Sequence, residues 1–276
     1  MTLLEHAVEM FNDYMAKTWD MLTTGLTDFM DGQVWSVMAA INSGLIAGGL
    51  ALLVVFTFMG ILKSTVSLAE LKRPEAAVRV LVRFIFAKAL ITYGSAFMLY
   101  IFEIIQSAVL QIRRYAGGFR EASVPDEIAE ALEEPSAIFD PIISILMGVS
   151  GLLAWMVIVI VSIVILVTVY GRFFRLYMYT AISPLLLSTL GGEPSQSIGI
   201  GFLKNYAAVC LEGVVITIAC VIYIAIAKDP SVTVHDGDWG PLLMVLEYVL
   251  NFVLYAFILL FAVKGADRIA REMMGQ

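Results

Sequence analysis

The chain has 276 residues, of which 60% are hydrophobic and only 15% are charged. Soluble domains average about 45–50% apolar and about 25% charged residues, so a soluble fold of this length would leave much apolar surface in water. The mean hydropathy of +0.89 agrees with a chain that lies mostly in lipid. The composition therefore excludes a soluble globular domain and predicts an all-α, polytopic helical membrane protein.

The N-terminal segment, residues 1–33, predicts an amphipathic helix, because apolar residues recur at helical spacing with acidic residues between them. The apolar positions are Leu4, Val8, Phe11, Met15, Trp19, Leu22, Leu26 and Phe29. The segment has six acidic residues and only one basic residue, Lys17. Since it lacks the basic face that binds anionic lipid, we expect it outside the cytoplasm or packed on a partner. No basic stretch precedes an apolar core here, so we expect no cleavable signal peptide.

About five later segments are long enough and apolar enough to cross a bilayer. They are residues 34–62, 89–112, 141–171, 206–227 and 241–263. Residues 172–205 also contain an apolar portion, but Pro184 interrupts it and two glycines end it. We therefore expect a cytoplasmic interfacial or re-entrant hairpin over 172–205. Residues 264–276 form a short charged tail.

The distribution of charge predicts the orientation, because two sets of segments alternate across the five spans. The basic set holds 12 Lys and Arg against 5 acidic residues and consists of residues 63–88, 172–205 and 264–276. The acidic set holds 5 Lys and Arg against 16 acidic residues and consists of residues 1–33, 113–140 and 228–240. Since basic loops remain in the cytoplasm, we expect the N-terminus outside the cytoplasmic membrane and the C-terminus inside.

Three acidic residues lie within the predicted spans and are candidate intramembrane polar sites: Glu103, Glu212 and Glu247. A charged side chain in hydrocarbon is unfavourable by roughly 2.5–3.5 kcal/mol unless it is neutralised, paired or hydrated. Each glutamate could line a pore or carry a proton, or it could be a hydrogen-bonded structural group near an interface. Glu212 and Glu247 lie about 9 Å from a span end, and no basic residue lies centrally, which favours the structural interpretation.

Glycines in two spans are candidate helix-packing positions. Gly44 and Gly48 form a GxxxG pattern in the first span, and Gly148 and Gly151 lie near the start of the third. Small residues at this spacing permit close approach between helices. The approach could be within one chain or between copies of it.

The sequence offers little for metal or catalytic chemistry. Cys210 and Cys220 would lie about 15 Å apart on a helix, which is too far for a disulfide. The chain has two histidines and no cluster of Cys and His, so we expect no metal or cofactor site. No nucleophile elbow, zinc-protease motif or kinase signature is present. We therefore expect no enzymatic function.

The most basic segment connects the first two spans and contains Lys72, Arg73, Arg79, Arg83 and Lys88. Pro74 favours the first turn of a helix, and Glu75, Arg79 and Arg83 follow on one helical face. We expect an amphipathic entry helix on the cytoplasmic side. Its cations could fix the topology at lipid headgroups, or form a ring at a cytoplasmic mouth if several subunits surround an axis.

Three stretches follow the N-terminal helix in a recognisable order: INSGLIAGGLALLVVF, LAELKRPEAAVRVLVRFIFAKALIT and RFFRLYMYTAISPLLLSTLGG. Together they resemble the polytopic TrbL-like subunit of conjugative type IV secretion systems, in the form found on mobile elements of Gram-positive bacteria. The resemblance covers most of the chain. Residue by residue it singles out Lys72, Arg73, Pro74, Glu75 and Pro184, and it assigns no chemistry to them.

The resemblance implies a non-enzymatic scaffold or channel subunit that assembles as a homo-oligomer and helps DNA and protein substrates cross the cytoplasmic membrane. The implied partners are the lipid bilayer, other secretion-system subunits and, transiently, the transferred single-stranded DNA. The residues alone leave open a small-solute transporter or ion channel, and a membrane-perturbing toxin or holin. A transporter would be expected to have a polar cluster at the midplane and an inverted repeat, and neither is visible.

Overall fold

The computed structural model describes residues 3–64, 74–116, 141–227 and 241–275. These residues form helices and contain no strand, which agrees with the predicted all-α class. The helices are α1 Leu3–Thr23, α2 Gln33–Ser64, α3 Pro74–Thr92, α4 Gly94–Ala116, α5 Pro141–Leu187, α6 Gln196–Ala227 and α7 Pro241–Met273. Two short 3-10 turns, Phe29–Gly32 and Ser188–Gly191, precede α2 and follow α5.

Five helical segments of the described part are long and apolar enough to cross a membrane, which confirms the polytopic prediction. They are Phe29–Lys63, Gly94–Ala116, Gly151–Gly191, Gln196–Ile226 and Leu246–Met273. Each overlaps one predicted span, while the predicted span limits remain predictions. Large apolar side chains such as Val54, Val55 and Phe58 are more than half exposed, as expected where the neighbouring medium is lipid.

The helix boundaries differ most from expectation around residues 172–205. The predicted third span ends at residue 171, whereas α5 is one helix of 47 residues that continues to Leu187 with Pro184 inside it. Proline removes one helical N–H, and the carbonyl left without that donor accepts a hydrogen bond from Asn42 instead. The Ser188–Gly191 turn follows α5, and α6 begins at Gln196. The cytoplasmic position of this hairpin remains a prediction.

One unit of the structure comprises Met1–Thr23, Val109–Tyr170 and Val215–Ala266. In it α1 buries an apolar face formed by Ala7, Val8, Phe11, Met15, Trp19 and Leu22. The ring of Phe11 lies 5.8 Å from that of Tyr223 and 5.4 Å from that of Phe252. The predicted amphipathic helix is thus confirmed over Leu3–Thr23, with its apolar face packed against its own chain.

The other unit comprises Thr24–Ala108, Gly171–Val214 and Asp267–Gln276. In it α2 approaches the end of α5 so closely that a Cβ atom at Gly49 would lie 2.5 Å from the carbonyl oxygen of Pro184. Only glycine fits this position. The Tyr177 hydroxyl of α5 donates a 2.8 Å hydrogen bond to the Leu26 carbonyl.

A buried charged cluster as the candidate functional site

Five charged side chains and one asparagine of α5, α6 and α7 come together within the second unit. We name this group the arginine–carboxylate cluster, and its members are Arg172, Arg175, Asn205, Glu212, Asp267 and Arg271. The arginines come mainly from α5 and the carboxylates from α6 and α7. Helix α5 can present both of its arginines to the same neighbours, because residues three apart share a helical face.

Arg175 bridges two carboxylates that belong to different helices. Its Nη2 atom lies 2.7 and 2.6 Å from the two carboxylate oxygens of Glu212. Its Nη1 atom lies 2.7 Å from Oδ1 of Asp267. The planar guanidinium presents its N–H donors in a fixed fork, so one side chain can connect α5 to both α6 and α7.

The network continues along α7 and returns to α6. Oδ2 of Asp267 accepts a 3.0 Å hydrogen bond from Nε of Arg271, one helical turn away. Nη1 of Arg271 donates a 3.4 Å hydrogen bond to Oδ1 of Asn205. Asp267 therefore accepts from two arginines, and each carboxylate of the cluster is paired with at least one arginine.

Arg172 is as deeply buried as Glu212, with 1% of its surface exposed. Its Nε donates to the Val209 carbonyl at 3.1 Å, and its Nη2 donates to the Cys210 carbonyl at 3.3 Å. Among the described residues its Nη1 has no hydrogen-bond partner. The guanidinium thus lies against the backbone of α6 and holds that helix to α5.

Two aromatic rings and the backbone of α6 lie near the Arg172 guanidinium. Its Cζ atom lies 5.8 Å from the ring centre of Phe102 and 5.7 Å from that of Phe173, distances at which a cation is attracted to an aromatic ring. A Cβ atom at Gly213 would overlap the guanidinium. Glycine at this position is what allows the arginine to reach the helix backbone.

The predicted glutamates have different surroundings in the structure. Glu212 is 1% exposed and belongs to the arginine–carboxylate cluster. Glu103 is exposed on α4, and Glu247 is half-buried near the start of α7.

The sequence analysis did not predict that Arg175 contacts Glu212 or that Arg172 contacts the helix of Glu212, because it ended the third span at residue 171. A helix continued past that point would have placed Arg172 and Arg175 on one face.

The predicted basic site is only partly described. Lys72 and Arg73 lie outside the described residues. Helix α3 begins at Pro74 as predicted. Arg79 and Lys88 are exposed on it, and Arg83 is half-buried.

The predicted packing glycines are mostly open in the described part of the chain. A Cβ atom at Gly44, Gly148 or Gly151 would have no neighbour within 4 Å there. A Cβ atom at Gly48 would make an ordinary 3.6 Å contact with Leu185. Packing of Gly44, Gly148 and Gly151 against another copy of the chain remains a prediction.

The described fold defines the class of protein: a multi-pass helical membrane protein whose described residues include no group of metal-ligating side chains. A family model described as TrbL/VirB6 plasmid conjugal transfer like protein matches residues 16–184, which is more than half of the chain. The chain therefore belongs to the TrbL/VirB6 family, and the resemblance seen in the three sequence stretches is confirmed. No curated protein and no solved structure matches the chain.

The matched range ends at Pro184, within α5. It includes Arg172 and Arg175 but not Glu212 or Asp267, which lie on α6 and α7. The arginine–carboxylate cluster therefore connects the matched part of the chain to helices beyond it.

Proposed function

We propose that the protein is a non-enzymatic membrane subunit of a conjugative type IV secretion system. In this proposal it forms a homo-oligomeric scaffold or channel that helps DNA and protein substrates cross the cytoplasmic membrane. The observation that carries the proposal is the TrbL/VirB6 match over residues 16–184, in a chain whose described residues include five candidate spans. Other subunits of the secretion system follow as its partners.

The arginine–carboxylate cluster supports a scaffold role. Arg175, Glu212 and Asp267 connect three helices through charged hydrogen bonds of 2.6–2.7 Å. Separating these helices would break the ion pairs and leave a buried charge uncompensated, which is unfavourable. The ion pairs therefore hold the three helices in one arrangement. Because each carboxylate is already paired with arginine, the cluster fits a fixed junction better than a site that binds and releases a transported cation.

The orientation that we propose has the N-terminus outside and the C-terminus in the cytoplasm. The cluster supports this orientation, because it joins two regions that the charge pattern assigns to the cytoplasmic side and a residue near the inner end of a predicted span. Arg175 lies in the predicted hairpin, Glu212 lies near the inner end of its predicted span, and Asp267 lies in the predicted tail. A fluorescent protein fused after Gln276 tests this: we expect bright cells, since the fusion folds in the cytoplasm.

The basic stretch has two candidate roles within this function, namely fixing the topology and contacting single-stranded DNA at a cytoplasmic mouth. Reversing Arg79 and Arg83 to glutamate separates them. Loss of membrane insertion supports the topology role. Normal insertion with loss of transfer supports contact with DNA at the mouth.

The proposal is tested by isolating the protein from donor cells in mild detergent and measuring its mass by native mass spectrometry. We expect a discrete homo-oligomer that carries other transfer subunits with it. A monomer that never associates with those subunits contradicts the proposal. Ion flux through liposomes that contain only the purified chain would favour the transporter or channel alternative instead.

A further inference from the structure

Helix α3 has two apolar sides, and the described residues cover only one of them. It packs against α2 and the Ser188–Gly191 turn, and it buries Ala87, Leu90 and Ile91. Five large apolar side chains remain 57–61% exposed, and they are Val78, Leu81, Val82, Ile85 and Phe86. An exposed apolar face of this kind marks a surface that contacts a membrane or another protein.

The charges of α3 are distributed along its whole length. Glu75 lies in the first turn, and Arg79, Arg83 and Lys88 follow. At 1.5 Å per residue, Glu75 and Lys88 are about 20 Å apart along the axis, against a hydrocarbon thickness of about 30 Å. If α3 crossed the bilayer, Arg83 or Lys88 would lie within hydrocarbon, which is strongly unfavourable. The candidate spans of the described residues do not include α3.

The two exposed cations border the exposed apolar face on both sides. With about 100° of rotation per residue, Lys88 lies about 20° beyond Leu81 at one edge, and Arg79 lies about 20° beyond Phe86 at the other. Long basic side chains at such edges place their alkyl stems on apolar surface and extend their charges to the level of lipid phosphates. Helix α3 therefore presents an apolar face with one cation at each edge, and Glu75 in the first turn lies within the arc of that face, about 20° from Phe86.

We propose that α3 lies in the plane of the membrane surface, and that Arg79 and Lys88 bind anionic phospholipid headgroups beside its apolar face. Net positive charge on the helix complements an anionic leaflet. Transferred DNA is the less suitable polyanion, because five large apolar side chains between the two cations would then face water. This inference requires only that the protein is a multi-pass membrane protein, and it does not depend on the secretion role.

Depth measurements on the full chain in lipid nanodiscs test the in-plane orientation. Spin labels are attached to single cysteines at Val78, Leu81 and Ile85 after Cys210 and Cys220 have been replaced by serine. We expect all three labels at the same shallow depth, although positions 78 and 85 are about 10 Å apart along the helix. A label at Val54, within a candidate span, is the control and should report a deeper position. A steady change in depth from 78 to 85 would show that α3 spans the bilayer and would overturn the proposal.

Lipid selectivity is tested with the full chain in nanodiscs of mixed phosphatidylcholine and phosphatidylglycerol, by native mass spectrometry of the retained lipids. We expect phosphatidylglycerol to be enriched on the wild type. Each basic residue near an anionic surface strengthens association by about fivefold. Arg79 and Lys88 lie at opposite edges of the face and bind separate headgroups, so Arg79→Gln with Lys88→Gln should lower the enrichment by about fivefold at each site. Glu75→Gln is the matched control on the same helix and should retain or raise it.

Both substituted cations are exposed, so the double variant should keep the melting temperature of the wild type. If the double variant is unstable, the single Lys88→Gln variant replaces it. We expect that variant to lower the phosphatidylglycerol enrichment by about fivefold. Unchanged enrichment in these variants overturns the proposal. The variants are also tested for binding of a single-stranded oligonucleotide. If they lose this binding but keep the lipid enrichment, the cations contact DNA, and the proposal is overturned.

Discussion

Asn42 on α2 donates a 2.6 Å hydrogen bond from Nδ2 to the main-chain carbonyl of Thr180 on α5. In an uninterrupted α-helix this carbonyl accepts from the N–H of residue 184, but residue 184 is proline and has no N–H. The same Nδ2 atom donates to Oγ of Ser183 at 2.9 Å, and Asn42 is only 2% exposed. Helix α2 thus provides the donor that α5 lacks.

This relationship predicts that Asn42 and Pro184 are energetically coupled. Asn42→Ala leaves a buried carbonyl without its donor, so we expect the free energy of unfolding to fall by about 1–3 kcal/mol. In a Pro184→Ala background the restored N–H of residue 184 can bond to the Thr180 carbonyl. Asn42→Ala should then lower the free energy of unfolding by much less. Denaturant unfolding in detergent, measured for the four chains of the double-mutant cycle, gives the coupling energy.

Ser43→Ala is the control for this cycle. Ser43 is adjacent to Asn42 but exposed, and its hydroxyl bonds within its own helix to the Ala39 carbonyl. We expect its effect to stay within about 0.5 kcal/mol. Equal effects of Asn42→Ala with and without Pro184 would mean that the asparagine does not compensate for the proline.

The arginine–carboxylate cluster predicts a ranking of ion-pair substitutions. Arg175→Met removes the partner of Glu212, which is 1% exposed, so we expect a loss of about 3–5 kcal/mol in the free energy of unfolding. Asp267→Asn should have a smaller effect, because that carboxylate is 36% exposed. Arg268→Gln is the control, since the Arg268–Glu272 pair is largely exposed and such pairs contribute about 0–1 kcal/mol. Equal effects of Arg175→Met and Arg268→Gln would refute a structural role for the cluster.

Gly213 should be intolerant of a side chain although it lies within a helix. Gly213→Ala forces a methyl group into the Arg172 guanidinium, and overpacking of this kind is unfavourable by about 1–3 kcal/mol. Gly201→Ala on the same helix is the matched control, because its Cβ atom would have no described neighbour within 4 Å. Thermal unfolding of both variants in detergent measures the difference. A Gly213→Ala variant as stable as Gly201→Ala would place Arg172 elsewhere.

Two glycines of α2 should respond differently to alanine. At Gly49 the methyl group would meet the backbone of Pro184, so we expect lower stability and a looser α2–α5 contact. At Gly44 the methyl group has room within the described chain, and stability should be unchanged. Native mass spectrometry of Gly44→Ala then tests the predicted helix-packing role, because a shift toward monomer places Gly44 between subunits. An unchanged oligomer would remove Gly44 from any such contact.

The membrane architecture was predictable because it follows from local patterns. Continuous apolar length indicated the five spans, and the helical spacing of Val8, Phe11 and Met15 indicated the buried face of α1. Pro74 indicated the start of α3. Each of these features depends on neighbours in the sequence, so the chain alone was sufficient to identify them.

The site was harder to predict because it depends on contacts between distant residues. Pro184 indicates a helix break when read locally, and the compensating donor, Asn42, is 138 residues away. For the same reason Glu212 was recognised as an unusual carboxylate, while its partner Arg175 was assigned to the hairpin and Asp267, which binds the same arginine, was assigned to the C-terminal tail. The sequence shows which charges are present, but the pairing of those charges depends on the packing of three helices.

The central claim, that this chain is a working subunit of a conjugation machine, is tested most directly by the frequency of plasmid or element transfer between cells. The measurement uses donors with an in-frame deletion of this chain, complemented by the wild type, by Arg268→Gln or by Arg175→Met, with the amount of each chain in the membrane measured in parallel. The account predicts that deletion abolishes transfer, that the wild type and Arg268→Gln restore it, and that Arg175→Met does not. Undiminished transfer from the deletion donor would contradict it.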